Sequence, residues 1–321
     1  MSLNKKKLKE IRGDASFRVF YRKKNLKNSS IIVYANKEKK KNLLIYDAIN
    51  KILIKNKILA PKLYNEEYKK NFIEIEDFGN DTIFDLLKRK RNKKKALYKN
   101  SIKLLNKIQK IKQNKVINFN GESYKIPSYD KNKLLVEAKL FSDWYAGKHI
   151  SKKKILTFKL QINNQIKFLL SRLKLKNDTF VHRDFHVSNL MEYKNKLAII
   201  DTQDALIGNR AYDLASLIDD VRFKSNEKFK DTIFTYYLGL NKKNLNKEFF
   251  LNDFEILSVL RNMKIIGIFT RLAIRDKKKK YLRLIPHAWK LIELRIKNNK
   301  IFDDLKKILD LNFTKQIRNL K

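Results

Sequence analysis

Residues 181–190 read Val-His-Arg-Asp-Phe-His-Val-Ser-Asn-Leu, and Asp201 follows the apolar pair Ile199-Ile200. Asp184 stands five positions before Asn189 and seventeen before Asp201. An H-R-D-x-x-x-x-N run followed by a second Asp suits phosphoryl transfer to a hydroxyl. The residue types follow from the chemistry. A carboxylate, Asp184, must stand where the attacking hydroxyl loses its proton. An amide oxygen, Asn189, and a second carboxylate, Asp201, must hold Mg²⁺ against the phosphates. Either half alone would read as an ordinary cap or Asx-turn. Both halves in order, joined by a spacer of hairpin size, favour the functional reading.

That spacer predicts a strand over Leu190–Tyr193, a turn at Lys194-Asn195 and a return strand over Lys196–Ile200. Upstream, Ser16–Arg22 and Ser29–Ala35 are expected strands. Lys41–Asn56 carries Leu43, Leu44, Ala48 and Ile52 at helical spacing. Lys62–Glu67 and Asn71–Asp77 form an expected hairpin. Phe78-Gly79-Asn80-Asp81 breaks the pattern, and Asp81 is a candidate N-cap for a helix over Thr82–Lys90. Helices are expected over 95–111, 131–146, 153–175 and 211–223, and from there toward the end. A β-rich front and a helical rear joined near Asp77–Asn80 predict an α+β fold of two lobes, residues 1–78 and 79–321.

The 321 residues are 43% hydrophobic, enough for a sizeable core. With no run of 18 apolar residues, no signal-like start and no cysteine, the expected setting is cytoplasmic, without membrane or disulfides. The formal net charge of +42 would ordinarily suggest nucleic acid. Here the excess is Lys spread from end to end, beside abundant Asn and Ile. The runs Lys37–Lys41, Lys93–Lys95 and Lys277–Lys280 read as solvated faces, so no specific nucleic-acid partner is expected.

Other candidates come with alternatives. Gly13-Asp14-Ala15-Ser16 before the first of these strands could bring backbone amides to phosphates, with Ser16 and Arg18 as contacts. Glu76-Asp77-Phe78-Gly79 is the expected connector, where an adenine would pair with backbone groups; its acids also read as exposed strand ends. Asp204 could bind metal, bind a substrate hydroxyl or cap the following turn. His182 reads as a packing residue, His186 either way, and Asp213 as structural at a helix start.

At these residues the chain resembles the aminoglycoside phosphotransferase family, which has the protein-kinase-like fold, and within it the bacterial N-acetylmuramate/N-acetylglucosamine kinases of cell-wall recycling. Gly13-Asp14-Ala15-Ser16-Phe17-Arg18 is similar to that subgroup's D-A-S-F-R opening, and Glu76-Asp77-Phe78-Gly79 to its E-D-[LF]-G connector. Glu137 through Trp144 is similar to its E-x-x-L-F-x-x-W segment. Asp201-Thr202-Gln203-Asp204-Ala205 with Gly208 and Tyr212-Asp213-Leu214 is similar to its D-F-Q-D-A run. The resemblance implies ATP as donor, Mg²⁺ as cofactor, Asp184 as base, Asn189 and Asp201 as metal ligands, and C1 of an amino sugar as acceptor. On the acceptor side it points to Glu137, Trp144, Gln203 and Asp204, and on the nucleotide side to Ser16, Arg18, Glu76 and Phe78. Another alcohol, such as an aminoglycoside, choline or homoserine, or an inactive nucleotide-binding scaffold, is the alternative. Two departures stand out. Thr202 replaces the usual aromatic after the metal Asp. No lysine sits clearly at the phosphate-pairing position: Lys37, Lys39 and Arg18 compete for it, and Glu38 is the nearest acid partner.

Overall fold

The computed structural model describes residues 8–11, 18–24, 29–243, 245–297 and 299–320. An antiparallel sheet of five strands comes first: β1 (Leu8–Ile11), β2 (Arg18–Lys24), β3 (Ser29–Ala35), β4 (Leu63–Glu67) and β5 (Phe72–Glu76), in the order β1-β2-β3-β5-β4. Helix α1 (Lys41–Lys55) lies between β3 and β4 in the chain. Its apolar positions Leu43, Leu44, Ala48 and Ile52 are all buried, as their spacing predicts. Ile31, Val33 and Ala35, alternate residues of β3, form a core with Leu43, Tyr46, Ile73 and Ile75. β3 is buried on both faces, which is why its sequence runs as a continuous apolar stretch rather than alternating.

Helices α2 (Ile83–Arg89) and α3 (Lys94–Ile108) follow, then a short hairpin, β6 (Lys115–Ile117) with β7 (Ser123–Lys125). The N-cap of α2 is Thr82, whose hydroxyl accepts from the Asp85 amide at 3.0 Å. Asp81 is not the cap as expected; it pairs with Arg89 at 2.5 Å across one face of the helix. Thr82 has the extended backbone that capping requires.

α4 (Lys131–Leu140) runs into a π-helical turn over Phe141–Ala146, and α5 (Gly147–His149) and α6 (Lys152–Ser171) come next. A continuous α-helix over 131–146 was the expectation. The change of winding coincides with Gly267 of the long helix α9 (Lys247–Ile274): a Cβ there would stand 2.2 Å from the Leu140 carbonyl carbon. Backbone approaches that closely only at glycine. β8 (Asn177–Val181) pairs with β11 (Leu206–Asn209), and between them β9 (Leu190–Tyr193) pairs with β10 (Lys196–Ile199). α7 (Ala211–Ile218), α8 (Glu227–Leu240), α9, α10 (Ile285–Ile296), α11 (Asp303–Asn312) and α12 (Lys315–Arg318) complete the chain.

By internal contacts the chain forms two compact units, Met1–Pro127 with Thr179–Ile207, and Ser128–Asp178 with Gly208–Lys321. The division does not follow the connector: α2, α3 and the β9–β10 hairpin belong with the sheet. The core of the second unit is aromatic. Phe141, Tyr145, Phe158, Trp289 and Phe313 pack ring on ring, and the Trp289 indole donates to the Tyr145 hydroxyl at 3.0 Å. Two buried carboxylates organise its polar interior. Asp253 accepts from the Lys174 and Leu175 amides, both at 2.8 Å, and from Asn209 at 2.6 Å. It therefore staples the chain just before and just after the segment that leaves for the first unit. Asp219 accepts from Lys230 at 2.7 Å, Ser258 at 2.6 Å and Arg295 at 2.8 Å.

Candidate active site

The β9–β10 hairpin forms as its spacing predicts, with Tyr193 opposite Lys196. Lys194 and Asn195 both take positive φ, 49° and 58°, the handedness a two-residue hairpin turn needs. The Ile200 amide donates to the Asn189 carbonyl at 3.1 Å, so the far end of the hairpin returns Asp201 to Asn189. The hairpin is anchored on both sides within its unit. The Ile199 amide donates to the Leu59 carbonyl at 2.9 Å, the Glu192 amide to Asp81 at 2.8 Å, and the Phe84 amide to Val187 at 3.0 Å.

The loop before β9 is wound tightly. The His186 amide donates to the Asp184 carbonyl at 3.0 Å, and the Asn189 side-chain amide donates to the same carbonyl at 3.0 Å. That bond assigns the Asn189 amide: nitrogen toward the loop, Oδ1 left to accept or to bind a cation. Arg183 and Asp201 flank the site with φ of 73° and 61°. Non-glycine residues seldom take such values, and they gather where a side chain must be aimed. His182 is fully buried, and its Nε2 lies 3.1 Å from the Ile200 carbonyl. Burial pushes its pKa down against the pull of Asp184 and Asp201. A neutral ring donating to Ile200 makes it a support for the Asp201 backbone, in line with the packing role expected of it.

Asp201 is held by a partner from β2. Arg18 Nη2 lies 2.6 Å from Asp201 Oδ1, and Arg18 Nη1 donates to Gln203 Oε1 at 2.7 Å. The Gln203 amide donates onward to Asp204 at 2.8 Å. Arg18 is nearly fully buried, with its guanidinium 5.4 Å from the Phe20 ring centre and 5.8 Å from that of Tyr46. Among the competing cations it is the one at the site; Lys37 and Lys39, with Glu38, are exposed on a 3₁₀ turn. Asp201 Oδ2 has no partner among the described residues, and the side chain keeps 39% exposure. A carboxylate oxygen and an amide oxygen are donor types that fit Mg²⁺, which takes few protein ligands and fills the rest of its octahedron with phosphate and water.

Thr202, which stands where an aromatic is usual, is fully buried, and its hydroxyl donates to Asn50 Oδ1 at 2.6 Å. Asn50 in turn donates to the Pro61 carbonyl at 3.1 Å. The departure thus exchanges an apolar plug for a polar tie to α1.

At the connector, Phe78 packs with Met191 and Ala198, and its ring centre lies 4.9 Å from that of Tyr193. Glu76 is half-buried and its amide pairs with the Lys62 carbonyl at 2.8 Å. Asp77 is no exposed strand end. It is buried and accepts from Arg22 of β2 at 2.9 Å; Arg22 also reaches Asn80 at 2.5 Å and the Gly79 carbonyl at 2.8 Å. Gly79 takes φ +83°, which glycine alone adopts readily. This clasp was not foreseen, although an Arg four positions beyond Arg18 on one strand face was a visible cue.

Among the remaining candidates, Ser16 and the Gly13–Ser16 turn lie outside the described residues. Asp204 caps no helix; it is over half exposed and 3.6 Å from Arg183. Gln203 is engaged on every side by Arg18, Asp201 and Asp204. In the second unit, Glu137 of α4 lies 2.8 Å from Lys264 and accepts from the Tyr129 hydroxyl. Trp144, on the π-helical turn, is half-buried, while its neighbours Phe141 and Tyr145 supply the core.

An α+β fold with an antiparallel sheet ahead of helices, and Asp184, Asn189 and Asp201 in the segments that flank one hairpin, has the architecture of a kinase-like phosphotransferase. Comparison with known proteins agrees: residues 7–246 match the phosphotransferase enzyme family, and the chain belongs to it. It is 31% identical over 283 residues to the N-acetylmuramate/N-acetylglucosamine kinase of Neisseria meningitidis, over 85% of this chain and 80% of that protein. A kinase of the same name from Pseudomonas putida is 27% identical over 289 residues, 87% of this chain and 80% of that one. Among solved structures, ADP-bound aminoglycoside phosphotransferase APH(2'')-Ib shares the fold with a TM-score of 0.55 at 16% identity, covering 89% of this chain and 92% of that chain. No described helix is long and apolar enough to cross a membrane.

Proposed function

We propose that the chain is an ATP- and Mg²⁺-dependent kinase that phosphorylates the anomeric hydroxyl of an amino sugar, N-acetylmuramate or N-acetylglucosamine. The observation that carries the reading is the hairpin return, which joins the Asp184 loop, Asn189 and Asp201 through the Asn189–Asp184 and Ile200–Asn189 bonds. Asp184 is the base: its carboxylate accepts the proton of the sugar hydroxyl as that oxygen attacks the terminal phosphorus of the nucleotide. Asn189 and Asp201 would hold Mg²⁺, whose positive charge offsets that of the phosphate oxygens. Arg18 is the cation on the phosphate side, in place of a lysine from β3, and Gln203 keeps it oriented. The connector at Glu76–Phe78 takes the adenine against Phe78 and Met191, and divides a nucleotide-binding part, residues 1–78, from the rest, 79–321. Ser16 belongs to the phosphate loop. Glu137, Trp144 and Asp204 serve the acceptor, Trp144 by stacking on a sugar face.

The test is incubation with Mg-ATP and a panel of amino sugars, with the phosphate located by NMR. A sugar 1-phosphate is expected, and the methyl glycoside of the same sugar should be inert. Phosphorylation of the blocked sugar at the rate of the free one would overturn the anomeric assignment. Asp184→Asn should lose about 10²- to 10⁴-fold in turnover while still binding nucleotide.

A further inference from the structure

The second unit holds a cavity of about 380 Å³, lined by the start of α8 and by α10. Small-molecule pockets commonly span about 300–1,000 Å³. Residue spacing builds its walls. His287, Lys290, Leu291 and Leu294 recur at three- and four-residue steps along one face of α10, and Glu227 and Lys230 do so on α8. Lys224 and Arg283, just ahead of the two helices, line it as well.

The charge of this cavity is one-sided. Among the described residues that line it, Glu227 is the one carboxylate, and Lys297 pairs with it at 3.2 Å. Lys224, Arg283 and Lys290 form no ion pair with any described residue. Lys230 is only 3% exposed. Its ammonium donates to the Ile218 carbonyl at 2.6 Å and to Asp219 at 2.7 Å, which leaves one of its three N–H groups. Lysines are common in this chain, but here three unbalanced cations share a cavity with a buried fourth and with the apolar Pro286, Leu291 and Leu294. A doubly charged anion gains more among them than a singly charged one, and the guanidinium fork of Arg283 matches phosphate oxygens. The apolar wall suits an organic body.

We propose that this cavity binds a small organic phosphate, its dianion held by Lys224, Arg283 and Lys290 and its carbon skeleton against Leu291 and Leu294. The site shares no residue with the one assigned to ATP and the sugar, so it stands or falls independently of the kinase reading. His287 reports from the cavity wall. Its Nδ1–H donates to the Val221 carbonyl at 2.9 Å. Burial, with Lys230 and Lys224, holds its pKa down, and Asp220 acts against them. A dianion bound among those lysines should raise that pKa.

The test is calorimetric titration of the full chain with phenyl phosphate, and with benzoate as the singly charged counterpart. Phenyl phosphate should saturate one site and bind more tightly than benzoate. The pair Arg283→Gln and Lys290→Gln should weaken it about 10- to 100-fold. The control removes the same charge elsewhere: Lys228→Gln with Lys242→Gln, two exposed lysines that do not line the cavity, should leave binding within about twofold. In NMR, the ring resonance absent from His287→Gln should titrate at higher pH once the probe is bound. Lack of saturable binding, or an equal loss in the control, overturns the proposal and leaves only general attraction to a basic surface. So does binding that survives loss of Arg283 and Lys290, or a His287 pKa unmoved by saturating probe. Benzoate binding as tightly as phenyl phosphate overturns the phosphate class.

Discussion

Gly267→Ala should weaken this protein far more than a glycine-to-alanine change in a helix usually does. The added methyl would meet the Leu140 carbonyl carbon at 2.2 Å, its oxygen at 2.3 Å and the Phe141 nitrogen at 2.6 Å. All three are backbone atoms, so no side chain can swing away, and ordinary contact begins near 3.4 Å. α9 and the start of the π-helical turn must therefore part by about 1 Å along a buried crossing. Forcing extra volume into a packed interior costs about 1–3 kcal/mol, while alanine returns up to about 1 kcal/mol of helix propensity. The net expectation is a loss of about 1–2 kcal/mol. Gly239→Ala on α8 is the internal control: nothing lies within 4 Å of the new methyl, so only the propensity gain of a few tenths to about 1 kcal/mol remains. Urea unfolding of both variants gives the comparison through the shift in midpoint at constant m. Because the turn that starts at Phe141 carries Trp144, Gly267→Ala should also raise KM for the sugar more than KM for ATP. A Gly267→Ala protein as stable as Gly239→Ala would refute the packing argument.

Further expectations can be checked with the same methods. Arg22→Met leaves the Asp77 carboxylate buried without its cation; it should cost about 3 kcal/mol in urea unfolding and raise KM for ATP, since the clasp sets the connector. Thr202→Val strips Asn50 Oδ1 of its donor and should cost about 1–3 kcal/mol, whereas unchanged stability would show that the tie to α1 contributes nothing. Burial alone would raise the Asp219 carboxyl, but Lys230 and Arg295 outweigh it and hold the group far below the usual carboxylate range. A depressed folded pKa contributes stability that is present above the unfolded value, about 4, and is lost as pH falls below it. Asp219→Asn should therefore be destabilised by about 3–5 kcal/mol at neutral pH, with the gap to wild type narrowing in unfolding curves taken below about pH 4.

The hairpin and its turn were legible because they are local: short apolar runs on both sides of Lys194-Asn195 leave few other ways to fold. The same holds for α1, whose buried stripe is written at helical spacing. The short strands Lys115–Ile117 and Ser123–Lys125 escaped notice, because three residues flanked by lysine and asparagine carry too little pattern. The π-helical turn was hidden for another reason. It coincides with the close approach of Gly267, more than a hundred positions downstream, and nothing within 131–146 announces a change of winding. Arg18 could be named as a candidate but not chosen, since its pairing with Asp201 spans 183 positions.

The staple at Asp253 has a consequence for how the chain is made. Residues 128–178 interrupt the first unit, which stays incomplete until synthesis has passed Ile207. Until then its sheet and α1 lack the β9–β10 hairpin, and Asn50 awaits Thr202. The staple comes later still, because Asp253 emerges after the Lys174 and Leu175 amides and Asn209 that it joins. On a ribosome adding residues from the N-terminus, the first unit can close once Ile207 has emerged, whereas the second waits for the chain beyond it. Release of the chain before Ile207 should therefore yield no stable half, because each unit is then still missing a part of its sequence.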